Sequence, residues 1–271
     1  MAEVVDVLGL RAQLFDLEQP RTATMPIHPS HRPGYHYALY RRHEDTYAPE
    51  RGPRSSASGL VVCMEHSGTH IDAPCHQAEH LMLTGGVRAQ DVEGPSGFRT
   101  LSIDQVAPLV GPAVVLDVPR AKGVDELPDR YAITVEDLEA CCATQGVTIE
   151  PGDIVLVRTG NARYWHDTER YLAGPGIAGK TSHWLAERGI RAVGADNMAW
   201  DVIGVVDPDI GSDLPGHLIL LARRGILIIE NLYLEELVAA GVHRCTFVCT
   251  PLKFVGATGS PVRPIALVPL T

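Results

Sequence analysis

Apolar residues occur along the chain in short runs that polar and glycine-containing turns separate. Five runs are rich in Val, Ile, Leu and Ala and are short, which is typical of strands buried in a sheet. These runs lie at 112–118, 152–160, 190–196, 225–230 and 244–250. The pattern therefore predicts five buried strands, most of them in the second half of the chain.

Segments between the runs carry helix start and stop signals. Ser102 stands three residues before Gln105, and Thr134 three residues before Asp137, a spacing typical of a capping box or a near relative of one. Helical segments also end at Gly189 and Gly241, where glycine commonly stops a helix. The alternation predicts an α/β protein with a β-rich core and peripheral helices.

No internal repeat or low-complexity linker divides the 271 residues, so we predict a single domain over 1–271. The segment 32–58 interrupts the pattern, because three prolines break a polar stretch rich in His, Tyr and Arg. We expect an irregular arm at about 32–58. Long loops of this kind are often functional.

Composition narrows the possible partners and compartment. With 23 Lys and Arg against 33 Asp and Glu, the net charge is −10, and no basic cluster offsets it. We therefore expect neither nucleic acid nor a membrane surface as a partner. The six cysteines form no CxxC pair, and neither a signal peptide nor a membrane-length apolar run is evident. These features predict a reduced, cytoplasmic protein.

The stretch EHSGTHIDAPCHQAEH, residues 65–80, contains four of the twelve histidines. His66, His70, Asp72 and His76 stand at even offsets, so an extended backbone would place them on one face. Two imidazoles and a carboxylate form a donor set that suits Zn²⁺ or Mn²⁺. His76 could then transfer a proton to or from water at that site.

Other residues of this stretch have simpler interpretations. Cys75 stands at an odd offset from His66, so an extended backbone would turn its side chain to the opposite face, and we expect it to pack in the core. His80 belongs to AEHLML, which resembles the start of a helix, so we interpret it as structural. A nucleophile at Ser67 is less well supported, because no G-x-S-x-G turn surrounds it. An isolated histidine is more often a surface or core residue than a ligand, and only the clustering favours a metal site.

The segment HSGTHIDAPCH, residues 66–76, closely resembles the H-x-G-T-H-x-D-x-P-x-H signature of the cyclase family of metal-dependent hydrolases. Bacterial kynurenine formamidase and isatin hydrolase belong to that family. The resemblance continues at 15–29, 151–160, 217–232 and 251–267. It implies a swivelling β/β/α domain and a homodimer or homotetramer whose N-terminal arms reach a neighbouring site.

The resemblance also implies roles for individual residues. It implies these metal ligands: His66, His70, Asp72, His217 and Glu230. One or two ions would bind, with Asp72 bridging them in the second case, and His76 would be the proton donor and acceptor. The spacing from His217 to Glu230 is thirteen, one more than in the formamidase branch, which leaves His217 as either a ligand or a proton relay. Glu230 alone could also be a solvent-facing acid at a strand end.

One position departs from the formamidase branch. There an aromatic residue of the opening segment stacks on the substrate ring, whereas this chain has His28 at the matching position. A replacement platform could come from Tyr35, Tyr37, Tyr40, Trp165 or Trp200. Four nearby histidines could be interpreted as a second metal site, but we expect them to lie on a solvated arm. They are His28, His31, His36 and His43.

The function implied by the resemblance is hydrolysis of an amide, N-formyl amide or lactam, a non-peptide C–N bond, through a metal-activated water. His76 would take a proton during attack and return it to the departing nitrogen. The same ion could instead serve a lactonase, dehydratase or cyclase of a secondary-metabolic pathway. A protein that only binds metal or assembles on this fold is a third possibility, which the presence of His76 disfavours.

Overall fold

The computed structural model describes residues 3–7 and 9–270. Within these ranges the strands are β1 Glu3–Val7, β2 Leu10–Asp16, β3 Tyr35–Arg41, β4 Ser58–Cys63, β5 His70–Asp72, β6 Met82–Leu83, β7 Val87–Arg88, β8 Leu109–Asp117, β9 Ala132–Ile133, β10 Ile154–Arg158, β11 Gly176–Ile177, β12 Ala192–Ala195, β13 Leu227–Glu230, β14 Arg244–Cys249, β15 Gly259–Pro261 and β16 Ile265–Pro269. The helices are α1 His43–Thr46, α2 Ala89–Val92, α3 Val118–Ala121, α4 Val135–Gln145, α5 Thr168–Leu172, α6 Gly179–Ala186, α7 Pro215–His217 and α8 Glu235–Ala239.

Ten of the strands form one mixed sheet in the order β1-β2-β16-β14-β8-β10-β12-β13-β5-β15. Its centre, from β8 to β13, is parallel, and the strands outside that centre pair antiparallel. Parallel strands are covered on both faces, which explains why the corresponding sequence runs are continuously apolar. The five predicted strands are all present in the sheet.

Neighbouring side chains of the central strands enter two different cores. Val115 of β8 and Leu156 of β10 pack on one face, whereas Val114 and Val155 pack on the other. The second face is covered by α4, α6 and a π-helix at Leu218–Arg223. The expected α/β class, with a β-rich core and peripheral helices, is confirmed.

Helix α4 begins and ends as its sequence predicts. The Thr134 hydroxyl accepts a hydrogen bond from the Asp137 N–H at 3.3 Å, and the Asp137 carboxylate accepts one from the Thr134 N–H at 3.1 Å. Gly146 follows the helix in the left-handed conformation, at φ 64°. Gly189 and Gly241 likewise follow α6 and α8 with positive φ, so these two stop signals are also confirmed.

Two predicted helices are wrong. The segment after Ser102 makes only a 3₁₀ turn at Ile103–Gln105, because the Ser102 hydroxyl donates to Asp104 instead of capping and β8 begins soon afterwards. His80 and Leu81 have φ of 50° and 63°, and two successive left-handed residues cannot start an α-helix. His80 therefore lies in an exposed turn that leads into β6.

The arm at 32–58 is more regular than we expected. Strand β3 pairs antiparallel with β4, with α1 and a 3₁₀ turn at Pro49–Arg51 between them. Tyr37, Leu39 and Val61 are each about half exposed, so apolar side chains of this hairpin face solvent. The prediction of an irregular segment was wrong because a strand rich in His, Tyr and Arg shows no apolar run.

The described part of the chain contains no helix that is both long enough and apolar enough to cross a membrane.

Candidate metal centre and active site

The predicted site residues meet where β13 ends, beside β5. Strand β5 pairs with β13 so that His70 lies opposite Glu230, and with β15 so that Asp72 lies opposite Gly259. His70 and Asp72 are two residues apart on one strand, and their side chains therefore share a face. The carboxyl ends of parallel strands are a common position for ligand sites in open α/β sheets.

A tight turn, and not an extended backbone, brings His66 to this face. Gly68 has φ 62°, and a Cβ atom there would lie 2.5 Å from Arg21 Nη1. The Arg21 guanidinium donates hydrogen bonds to the carbonyls of Ser67 and Thr69. The parity argument therefore holds only for His70 and Asp72, and it was wrong as an explanation for His66 and His76.

Asp72 lies at the centre of the cluster. Its Oδ1 is 2.8 Å from His66 Nδ1 and 3.5 Å from His70 Nε2, and its Oδ2 is 3.5 Å from His217 Nε2. Glu230 contacts two of the same imidazoles, with Oε2 3.3 Å from His70 Nε2 and Oε1 3.3 Å from His217 Nε2. The structure thus brings all five predicted ligands together, and all five are buried.

Hydrogen bonds fix which nitrogen of two of these imidazoles faces the cluster. His70 Nδ1 donates to the Gly68 carbonyl at 2.8 Å, and His217 Nδ1 donates to Asp201 Oδ2 at 2.8 Å. The Nε2 atom of each ring therefore points toward Asp72 and Glu230. Metal-binding histidines are typically held in this way, by an oxygen acceptor on the far nitrogen.

The cluster fits a divalent metal. Asp72 Oδ2 and Glu230 Oε1 are buried without a hydrogen-bond partner, which is costly for a carboxylate unless a cation balances it. Ligand bonds of about 2.1 Å place neighbouring donor atoms about 3.0–3.5 Å apart. The contacts of His70 and His217 with the two carboxylates lie in this range, at 3.3–3.5 Å. Two sets of donor atoms lie within 4.8 Å of one another and share Asp72: His66, Asp72 and His76, and Asp72, His217 and Glu230.

Electrostatics distinguish the two carboxylates. Burial opposes ionisation of both, but the imidazoles of His76, His217 and His66 hold the pKa of Asp72 well below its usual range. Burial raises the pKa of Glu230 to about 7. The interpretation of Glu230 as a solvent-facing acid is therefore wrong, because its side chain points into the cluster.

His76 borders the cluster. Its ring stacks on His66 with centroids 3.8 Å apart, and its Nε2 accepts a hydrogen bond from the Gln77 amide at 3.3 Å. Burial lowers the pKa of His76 well below that of an ordinary histidine. The same ring belongs to one of the two donor sets, and its role as proton donor and acceptor stays a prediction.

A cavity of about 160 Å³ opens beside His76 and is lined in part by His28 and His31. The His31 ring lies 5.0 Å from His66 and 6.2 Å from His76, centroid to centroid. The expectation that these two histidines belong to a solvated arm was wrong, because a 3₁₀ turn at Pro29–His31 places them before the hairpin. His36 and His43 are exposed on the hairpin, as expected.

None of the five proposed replacement platforms lines the cavity. The Trp165 and Trp200 indoles are buried, and their N–H groups donate to the Pro20 carbonyl and the Ser182 hydroxyl. Tyr37 and Tyr40 are exposed on the hairpin, while Tyr35 packs against the buried cluster that contains Trp165. Apart from the imidazoles of the cluster and of His76, the aromatic rings among the described residues that line the cavity are those of His28 and His31.

Sequence reasoning missed the groups that hold the ligands. Asp201 accepts hydrogen bonds from His217 Nδ1 and from the Gly216 N–H, and Thr258 Oγ1 lies 2.8 Å from His66 Nε2. Thr258 in turn donates to Glu65. Asp201 could have been found from the sequence, because it follows the end of a buried parallel strand by six residues. Thr258 could not, because it lies 192 positions from His66 along the chain.

Comparison with known proteins places this arrangement in context. A family model described as "Putative cyclase" matches residues 15–202. The chain is 27% identical to kynurenine formamidase from Bordetella avium over 93% of its own length and 97% of that protein. It is 31% identical to cyclase-like protein 3 from Arabidopsis thaliana over 74% of the chain, and this match spans only 62% of the plant protein.

Solved structures share the fold. The crystal structure of a novel cyclase superimposes with a TM-score of 0.83 at 30% identity, covering 94% of this chain and 86% of that one. Isatin hydrolase A from Ralstonia solanacearum superimposes with a TM-score of 0.71 at 24% identity, covering 95% and 92%. Since the family model matches more than half of the chain, the protein belongs to the cyclase family.

Proposed function

We propose that the protein is a metal-dependent hydrolase that cleaves the C–N bond of an amide, N-formyl amide or lactam through a metal-activated water. The observation that carries the proposal is the buried cluster of Asp72 and Glu230, whose unpartnered oxygens face His217 Nε2 beside a cavity. Relatives named kynurenine formamidase and neighbours named isatin hydrolase support it.

His66, His70, Asp72, His217 and Glu230 would hold the metal. A bound divalent ion supplies Lewis acidity and lowers the pKa of water toward neutrality. His76 would remove a proton from water and return it to the departing nitrogen, since its ring borders the cavity. Asp201 keeps His217 in the tautomer that turns Nε2 inward.

The donor set of imidazole and carboxylate suits Zn²⁺ or Mn²⁺, and the two donor sets that share Asp72 suit one or two ions. Elemental analysis of the purified protein would determine both the metal and its stoichiometry. Restoring activity to chelated protein with each metal separately would then show which one supports turnover.

The test of the function combines a substrate panel with one variant. N-formyl amines, cyclic imides and lactones are incubated with the metal-loaded enzyme. A mass gain of 18 Da identifies ring-opening hydrolysis, and a mass loss of 28 Da with release of formate identifies hydrolysis of an N-formyl amine. His76→Ala should keep the ion held by Asp72, His217 and Glu230 but lose turnover by about 10²–10⁴-fold, the usual contribution of a general acid–base group. His80→Ala is the matched control, because His80 lies in an exposed turn.

Two outcomes would count against this function. Full activity in His76→Ala would remove that residue from the mechanism. Products whose summed mass does not include one added water would favour the dehydratase or cyclase alternative.

We also propose that the protein assembles with a second copy of itself through the β3–β4 hairpin. Tyr37, Leu60 and Val61 expose apolar surface on this two-stranded ribbon. Such ribbons are marginal in isolation, and contiguous exposed apolar surface is typical of interfaces.

We propose that the protein resides in the cytoplasm, a reducing compartment, because its cysteines are free thiols. All six cysteines are unpaired, and burial raises the pKa of Cys75 and Cys245 to about 12, which leaves them unreactive. Cell fractionation would test this assignment.

A further inference from the structure

His66 faces the cluster with the opposite ring nitrogen from His70 and His217. Those two imidazoles donate from Nδ1 to an oxygen outside the cluster and turn Nε2 toward it. In His66 the arrangement is reversed, because Nδ1 lies 2.8 Å from Asp72 Oδ1 and Nε2 lies 2.8 Å from Thr258 Oγ1. The nitrogen that His66 presents to the cluster is therefore Nδ1.

The Glu65 carboxylate determines which way the Thr258 hydroxyl donates. It accepts hydrogen bonds from both the N–H and the hydroxyl of Thr258. A hydroxyl has a single proton, so the oxygen of Thr258 can only accept in its contact with His66, and His66 Nε2 must supply the proton. A nitrogen that binds a metal must be unprotonated. With Nε2 engaged as a donor, the nitrogen of His66 that can bind an ion is Nδ1.

The backbone at the start of β15 holds the His66 ring in this orientation. A Cβ atom at Gly259 would lie 2.6 Å from His66 Cε1 and 3.1 Å from His66 Nδ1, so the ring approaches the strand more closely than a side chain there would allow. Thr258 is fixed beside it, because its carbonyl accepts a hydrogen bond from the Ala73 N–H at 2.8 Å. The ring also stacks on His76, with centroids 3.8 Å apart. These contacts oppose a rotation that would exchange the two nitrogens.

We propose, resting on the metal-dependent function above, that His66 binds the metal through Nδ1 and that Thr258 and Glu65 are the positioning residues that select this nitrogen. Neither positioning residue belongs to the two donor sets found among the described residues. Thr258 keeps the imidazole in one tautomer, and Glu65 keeps the Thr258 hydroxyl turned so that it accepts. Removal of a group that orients a histidine ligand in this way commonly lowers metal affinity by about 10–100-fold.

A crystal structure of the zinc-loaded protein tests the choice of nitrogen directly. The ion should lie about 2.1 Å from His66 Nδ1, with Nε2 still within hydrogen-bond distance of Thr258 Oγ1. Coordination through Nε2, or an ion that does not contact His66, would overturn the inference. Either result would leave the hydrolase function standing, because that function requires a bound ion and not a particular nitrogen of His66.

The affinity for Zn²⁺, measured by competition with a chromogenic chelator, tests the positioning role. Thr258→Val keeps the shape of the side chain but removes the hydroxyl, and it should weaken binding of the ion on His66 by about 10–100-fold. Thr258→Ser keeps the hydroxyl and should bind Zn²⁺ like the wild type. Thr148→Val is the matched control, because it also removes a hydrogen bond from a threonine hydroxyl to a glutamate, Glu150, but at an exposed position.

The Tm of each metal-free variant is measured alongside, and similar values for Thr258→Val and Thr258→Ser separate a lost positioning contact from a general loss of structure. Thr258→Ala replaces Thr258→Val if the latter does not fold. Wild-type affinity without the hydroxyl, or equal losses in the valine and serine variants, would overturn the inference and leave the hydrolase function standing. If Zn²⁺ binds at Nδ1 but no compound of the substrate panel is hydrolysed, the proposed function fails and the inference stands. If the protein takes up no divalent metal, both fail.

Discussion

Asp72 is the single side chain that joins the two sets of candidate ligands. It contacts His66 through one oxygen and His217 through the other, and it is almost completely buried. Removing its charge therefore affects both donor sets at once, whereas loss of His66 or Glu230 would leave one set intact.

Replacing Asp72 tests whether it is a metal ligand. Asp72→Asn keeps the size of the side chain but removes the negative charge and one acceptor, so metal content by elemental analysis should fall to a small fraction of the wild-type value. Asp209→Asn is the control, because Asp209 pairs only with the exposed Lys180. Unchanged stoichiometry in Asp72→Asn would contradict the assignment of Asp72 as a ligand.

A second buried carboxylate, Asp196, affects stability and not metal binding. Its two oxygens accept hydrogen bonds from the Thr159 and Gly160 N–H groups at 2.7 and 2.9 Å, yet burial raises its pKa from 3.8 to about 6. A raised carboxyl pKa means that the folded state favours the protonated form. The stabilisation is therefore complete below pH 3.8 and is lost as the pH rises through about 6.

The raised pKa of Asp196 determines how stability depends on pH. Relative to Asp196→Asn, the wild-type free energy of unfolding should fall by on the order of 3 kcal/mol between pH 4 and pH 6, and should stay level above pH 6. Urea unfolding of both proteins at a series of pH values measures the difference, in which the other carboxyl groups cancel. Parallel curves for the two proteins would contradict the raised pKa.

At the scale of elements, the π-helix after His217 has a specific role. A π-helix contains one more residue per hydrogen-bonded turn than an α-helix and is often found at functional sites. Leu218–Arg223 takes this form between His217 and β13. The thirteen-residue spacing to Glu230 is thereby accommodated while His217 Nε2 still lies 3.3 Å from Glu230 Oε1.

This geometry makes a deletion informative. Removing Ala222 should convert the π-turn to an α-turn, so the variant should fold with a modestly lowered Tm and keep its metal. Removing Ile228 from β13 shifts Glu230 to the opposite face of the sheet and should abolish metal binding. Tm and metal content of both variants are measured together, and equal damage by the two deletions would show that the π-turn does not absorb a residue.

The elements differ in how well the sequence predicts them. The parallel strands were predictable because burial on both faces requires a continuous apolar run, and α4 because its cap lies within four residues. Strand β5 was not predictable, because three residues between the turn at Gly68 and Pro74 are too few to show the alternation of polar and apolar positions that is typical of a strand. The β3–β4 hairpin was missed for the opposite reason, as neither of its faces is buried within one chain.

The site shows the same contrast between local and distant information. His66, His70, Asp72 and His76 could be chosen from sixteen consecutive residues, and the family resemblance supplied His217 and Glu230. The packing of His31 against His66 and His76, and of His28 against His31, was not predictable, because these contacts depend on the path of the chain across the sheet edge.

For the whole molecule, the exposed hairpin predicts self-association. Light scattering should give the wild type a multiple of 29.3 kDa. Leu60→Lys with Val62→Lys places two charges on one face of β4 and should shift the mass toward that of one chain. Val255→Lys, at another exposed apolar position, should leave the mass unchanged. A wild-type mass of one chain would exclude the proposed assembly.

The position of β5 between β13 and β15 has a consequence for how the protein is made. Thr69, which immediately precedes β5, donates to the carbonyl of Asn231, 162 residues further along the chain. During synthesis the signature histidines leave the ribosome long before Glu230 and Thr258 exist, so a nascent chain offers an ion only part of the donor set. A metal can therefore meet the full donor set only after Glu230 has been synthesised, and its uptake reports that β5 has paired with β13.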